Sequence, residues 1–257
     1  MVDYDFDYIK NKFIQYAKMN TRSDENSNAI PTTKGQVKLL KELVSELKKL
    51  GLVEVSYSEK DAYTVGKVAA NIKEQLAPIG FVAHVDTADF NADNIQPQIF
   101  ENYDGQDIEL GHGYTLSATE FPSLKKVIGQ TLITTSGNTL LGADDKAGIA
   151  GLLGMAKYLK DNPEIKHGDI WFAFGPDEEI GQGAKRFDVS RFPVEFSYTL
   201  DNGNPGDIAY ETFNAAAAKI KIRGSVVHPG EAYHLMVNAT LIAYEFINQL
   251  PANFVPE

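Results

Sequence analysis

The residues best suited to chemistry are one imidazole and five carboxylates: His84, Asp86, Asp144, Glu178, Glu179 and Asp201. Such a set suits a divalent metal of borderline character, zinc first, with cobalt or manganese as workable substitutes. The excess of carboxylate over histidine favours two ions, because a carboxylate can bridge. Two-metal hydrolases hold their ions ~3.5–4 Å apart with a water between them. Glu178 and Glu179 are adjacent, so one can bind metal while the other stays free as a base. Singly, each residue has a commoner role. A lone His after a strand is ordinarily hydrogen-bonded structure, Asp86 and Asp201 suit turns, and a Glu pair is ordinarily solvated. What sets them apart is where they stand.

Three buried-strand runs end in these residues. Ile79-Gly80-Phe81-Val82-Ala83 runs into His84-Val85-Asp86. Ile170-Trp171-Phe172-Ala173-Phe174 runs into Gly175-Pro176-Asp177-Glu178-Glu179, and Phe196-Ser197-Tyr198-Thr199-Leu200 into Asp201. In open α/β sheets ligands bind beyond the carboxyl ends of the strands. Asp144 and Asp145 open a helix over 144–160, with Ile149, Leu152, Leu153 and Ala156 at helical spacing. Alone, that pair reads as a helix cap.

Other elements follow from periodicity. Phe6, Ile9, Phe13 and Ala17 mark a first helix. Thr33 and Gln36 form a capping box ahead of Leu39, Leu40, Leu43, Leu47 and Leu50, and Gly51 stops that helix. Val53, Val55 and Tyr57 alternate as a strand, with 64–71 as its hairpin partner. Residues 89–121 are loop chemistry with short strand-like pieces. The strand over 131–135, the helix from 144 and the strand at Trp171 form a βαβ unit of a parallel sheet. Residues 208–213 and 217–223 read as strands, and 238–250 as a last helix. The texture changes near Asn214, which gives units 1–213 and 214–257.

Composition excludes several classes. The 257 residues carry 24 Lys plus Arg against 35 Asp plus Glu, a net charge of −11. That argues against nucleic acid and anionic membrane as partners. There is no cysteine, hence no disulfide framework and no thiolate chemistry, which fits a cytoplasmic location. No apolar run approaches the ~18 residues of a membrane span, and the first residues lack an apolar signal core.

Four ordered motifs carry a resemblance: His84-Val85-Asp86-Thr87, Gly142-Ala143-Asp144-Asp145-Lys146-Ala147-Gly148, Pro176-Asp177-Glu178-Glu179-Ile180-Gly181 and His228-Pro229-Gly230. With Phe187-Asp188 and Met236-Val237-Asn238-Ala239, the chain resembles the peptidase T family of tripeptide aminopeptidases, within the wider clan of di-zinc exopeptidases and aminoacylases. Ser136 departs from the Asp common there. The resemblance implies an α/β fold. It would be a mostly parallel-sheet catalytic domain with part of an inserted α+β lid or dimerisation domain. It implies removal of the N-terminal residue from tripeptides by a hydroxide bridging two zinc ions. His84 and Asp201 would bind the first zinc, Asp144 would bridge, and Glu179 would bind the second. Asp86 would fix the His84 ring, Glu178 would be the general base, and His228 would hold substrate or steady the oxyanion. A cis peptide between Asp144 and Asp145 is implied too.

The family is longer. Its returning segment supplies the second zinc's histidine, and none of His84, His112, His167, His228 and His234 stands in that context. The expectation is therefore a C-terminally truncated chain with an incomplete second site. A homodimer through the lid is implied. Rival readings are a carboxypeptidase or N-acyl-amino-acid deacylase of the same clan, and a metal-binding form with little activity.

Overall fold

The computed structural model describes residues 4–203, 206–212, 214, 216 and 218–252. The chain divides into two compact units, Met1–Pro205 and Gly206–Glu257.

The first unit is built on a five-stranded sheet. Its strands are β1 (Val53–Tyr57), β2 (Thr64–Val68), β3 (Ile79–His84), β8 (Ile170–Gly175) and β9 (Phe196–Thr199), in the order β1-β2-β8-β3-β9. β8 and β9 both run parallel to β3, with His84 opposite Gly175 and Val82 opposite Thr199. β2 is antiparallel to β8 and to β1. The carboxyl ends of β3, β8 and β9 therefore lie side by side.

All six residues of β8 are buried. Their side chains alternate between two cores, as strand geometry dictates. Ile170, Phe172 and Phe174 join Leu39, Leu40, Leu43, Leu47, Ile149, Leu152 and Leu153. Trp171 and Ala173 join Tyr63, Val65 and Phe192 on the other face. A strand buried on both sides reads as a continuous apolar run, which is why its sequence is legible.

Three helices complete the unit: α1 (Phe6–Ala17), α2 (Lys34–Leu50) and α3 (Ala143–Asp161). Each wholly buried leucine of α2 and α3 contributes roughly 1.5–3 kcal/mol of transfer free energy. Gly51 ends α2 at φ 89°, a left-handed conformation that glycine adopts without a Cβ clash.

Several expectations need correction. Thr33 is the N-cap of α2 but makes no capping bond; its hydroxyl donates to the Arg22 carbonyl instead. The Gln36 amide turns to Thr32, Thr33 and Asp177, so the expected capping box is not formed. The strand preceding α3, β7 (Leu132–Thr134), pairs antiparallel with β4 (Gln98–Phe100) in a separate two-stranded sheet. It is thus no part of a βαβ unit with β8, whose parallel neighbour is β3. β5 (Ile108–Gly111) and β6 (Tyr114–Leu116) form a further hairpin. Val53 is exposed, on an edge strand.

In the second unit α4 (Ala239–Asn248) matches the expected last helix, and Asn238 caps it by accepting from the Thr240 N–H. The described residues of 208–223 form no strand; Phe213, Ala215 and Ala217 lie outside the described residues. Among the described residues of this unit an isolated antiparallel bridge joins Ser225 with Val237. Among the described residues no helix is long and apolar enough to cross a membrane.

Candidate metal centre

The strand ends deliver the site. His84 is the last residue of β3, Asp86 lies two residues on, and the turn after β8 carries Asp177, Glu178 and Glu179. Asp201 lies two residues past β9. Asp144 comes from the opening of α3, where φ/ψ at Asp144 and Asp145 is not helical. The bond joining them is cis, as the resemblance implies. Gly142, at the start of α3, has no side-chain capping bond, but past the non-helical Asp144–Asp145 pair Asp145 caps the regular helix by accepting the Gly148 N–H at 3.2 Å, so the cap reading holds for Asp145 and not for Asp144.

His84 is the hub. Its Nε2 lies 2.8 Å from Asp144 Oδ1, 3.8 Å from Asp201 Oδ2 and 3.9 Å from Glu178 Oε2. Its Nδ1 faces Asp86 Oδ1 at 3.2 Å. A carboxylate on Nδ1 fixes the ring and leaves Nε2 for a metal. Two sets of ligand atoms lie within 4.8 Å of one another: His84 with Glu178 and Asp201, and His84 with Asp144 and Glu179. One imidazole nitrogen and carboxylate oxygens from three strand ends and a helix start are donors that zinc accepts, so the residues present fit a divalent ion.

Asp86 is wholly buried and does a second task. Its two oxygens accept the main-chain N–H groups of Glu178 at 2.9 Å and Glu179 at 3.1 Å. The same carboxylate thus orients the imidazole and the glutamate turn.

The titration behaviour follows from crowding of like charge. Burial pushes the carboxyls of Glu178, Glu179 and Asp201 up, and neighbouring carboxylates push them further. Burial alone would push the His84 imidazole down. The hydrogen bond and charge of Asp86, with Asp145 and Asp144, outweigh it and carry the imidazole up to about 10. Carboxylates held near one another with one imidazole gain from a cation between them.

Two contributors lack a clear signal in the sequence. Asp145 reads as the partner of Asp144, yet it is buried, accepts the His84 N–H at 3.2 Å and accepts the Gly148 N–H at 3.2 Å. Burial, with the charges of Asp201 and Asp144, pushes its carboxyl up to about 8 against the pull of His84. Asp177, buried just before the glutamate pair, is the other. Within the second unit His228 is exposed, and its Nδ1 accepts the Gly230 N–H at 3.2 Å, a turn contact.

Comparison with known proteins finds relatives along most of the chain. A model of "Peptidase family M20/M25/M40" matches residues 138–248. Peptidase T of Clostridium perfringens (strain SM101 / Type A) is 52% identical over 250 residues, 97% of this chain and 61% of that protein. The chain is similar to that family over those residues and to peptidase T along nearly its whole length. It spans about three fifths of the length of the curated relatives it matches. Two solved structures share the fold. A tripeptidase from Staphylococcus aureus subsp. aureus Mu50 superposes with a TM-score of 0.61 at 21% identity, over 96% of this chain and 57% of that one. Aminopeptidase PepT from Bacillus cereus ATCC 10987 superposes with a TM-score of 0.57 at 23% identity, over 96% and 57%. The motif bearing Asp144 and the one bearing Glu178 and Glu179 both lie inside the region that the family model matches.

Proposed function

We propose that this chain is the metal-holding part of an aminopeptidase that releases the N-terminal residue from tripeptides. The observation that carries the reading is the convergence of His84, Asp144, Glu178, Glu179 and Asp201 on one point beyond three parallel strands. The likeness to peptidase T along 97% of the chain supports the substrate class.

In this reading His84, Asp144 and Asp201 hold one zinc, and Asp144 with Glu179 holds a second; cobalt or manganese would suit the same donors. Bound metal supplies Lewis acidity toward the peptide carbonyl and the attacking water. The chain's own residues do the rest. Glu178, raised by burial and its acidic neighbours, takes the water's proton and returns it to the leaving amine. Asp86 keeps His84 in place. His228 is proposed to contact the substrate, and a homodimer through a lid domain is proposed as well. Small peptides suit this chemistry, and a cytoplasmic location suits a chain without cysteine.

The test is direct. The purified chain is loaded with zinc and given a tripeptide, and the released amino acid is identified. Release of the N-terminal residue supports the reading. Release of the C-terminal residue, or turnover of an N-acyl amino acid alone, overturns it.

A second reading is favoured by one observation. Both donor sets draw on the same His84, and a single Nε2 serves one ion. A chain that binds one zinc tightly and turns over slowly is the form those residues complete by themselves.

A further inference from the structure

The glutamate pair is held from a distant part of the chain. Asp177 precedes Glu178 and sits at φ 56°, a left-handed conformation that residues with a Cβ rarely adopt. Something must hold it there, and the contacts show what does. The Gln36 amide is used at both ends: its Nε2 donates to Asp177 Oδ1 at 2.7 Å, and its Oε1 accepts the Asp177 N–H at 3.1 Å. The N–H of Thr32 donates to Asp177 Oδ2 at 3.1 Å, and the Thr32 hydroxyl donates to Oδ1. The Asp177 carbonyl accepts from Gln182 at 2.9 Å and Gly183 at 3.1 Å. Gln36 and Asp177 are both buried, 141 residues apart.

With Asp177 pinned at its N–H, carboxylate and carbonyl, the next two N–H groups point one way. Both meet Asp86, at 2.9 and 3.1 Å, and Asp86 faces His84 Nδ1 at 3.2 Å. Hydrogen bonds, joined by the backbone from Asp177 to Glu179, thus link the start of α2 to the imidazole.

We propose that Gln36, with Thr32, is a positioning residue of the metal centre. Through Asp177 it sets the direction of Glu178 and Glu179, and through their N–H groups the Asp86–His84 pair. Neither Gln36 nor Thr32 touches the ligand atoms. The inference rests on the metal-holding reading above. Partners one step behind a ligand typically change metal affinity about 10–100-fold. Gln36 acts through a further residue, so the lower end of that range applies.

The experiment compares the full 257-residue chain with Gln36→Met, which keeps volume but loses both amide bonds, and with Thr32→Val and Thr32→Ser. Zinc affinity is read by competition with a chromophoric chelator. The visible bands of the Co²⁺-loaded chain report ligand geometry, and circular dichroism reports folding of the metal-free chain. Expected are about tenfold weaker zinc binding and altered Co²⁺ bands in folded Gln36→Met, a smaller loss in Thr32→Val, and affinity within about twofold of the original in Thr32→Ser. A role in folding alone would lower the melting temperature and leave the Co²⁺ bands of the folded chain unchanged; that result overturns the inference. If Gln36→Met does not fold, Thr32→Val decides, and unchanged affinity and bands there overturn it. Should the unsubstituted chain take up no zinc, the metal-holding reading itself falls and carries this inference with it. Zinc binding that is equal in all variants sinks the inference alone.

Discussion

Asp86 Oδ1 stands 3.2 Å from His84 Nδ1, and both side chains are buried. An acceptor there holds the tautomer whose Nε2 is free for a cation. Asp86→Ala removes that acceptor and also strands the N–H groups of Glu178 and Glu179. Zinc affinity is expected to fall about 10–100-fold, measured by chelator competition. Affinity within twofold of the original would mean that the ring is held by something else.

Protons and metal compete for His84. In the metal-free chain Asp86, Asp145 and Asp144 overcome burial and hold its proton up to about 10. At pH 7 the imidazole is therefore charged, and zinc must expel the proton. Apparent affinity is expected to rise about tenfold for each pH unit between pH 6 and 8, for one proton released. Calorimetry in buffers of different ionisation enthalpy measures that release. A buffer-independent heat, with flat affinity, would contradict the assignment of His84 as a ligand.

Glu178 and Glu179 each enter one donor set, sharing His84 but with Asp201 beside Glu178 and Asp144 beside Glu179. If Glu178 is the base, Glu178→Gln keeps its zinc and loses about 10²–10⁴-fold in rate on a tripeptide. Glu179→Gln is expected to lose the second, more weakly held zinc instead. Metal loss in the Glu178 variant would exchange the two roles.

Much of this was legible in the sequence, for physical reasons. β8 shows itself because both faces are buried and every residue is apolar or glycine. His84 and Asp201 show themselves because each follows a strand-like run, although β9 ahead of Asp201 is an edge strand exposed at all four residues and not the buried strand its sequence suggests. The role of β7 was not legible. An apolar triplet ahead of a helix looks the same whether it joins the parallel sheet or pairs with Gln98–Phe100 across the loop region. The Gln36 signal misleads for a related reason. A Thr-x-x-Gln spacing signals a local capping box, whereas the real partner of the amide, Asp177, is far away in sequence. Asp145 was hidden by its neighbour, since adjacent Asp residues give no sign of which is buried.

At Gly148 α3 packs closely against Leu200, the residue after β9. A Cβ there would meet Asp145 Oδ1 and the Leu200 carbonyl. Gly148→Ala is therefore expected to destabilise the chain by about 1–3 kcal/mol, as overpacking does. It should also weaken zinc binding, because Leu200 precedes Asp201. Urea unfolding of the metal-free chain checks the first part. Unchanged stability would show that the helix shifts freely.

The central claim is that His84 and the carboxylates around it form a metal centre. The metal content of the purified chain after zinc loading and exhaustive dialysis tests it most directly, by elemental mass spectrometry beside His84→Ala and Asp144→Ala. The account predicts about one tightly held zinc per chain in the original, as three or more donors around one imidazole allow, and close to none in either variant. No retained zinc in the original, or equal retention in His84→Ala, would contradict it.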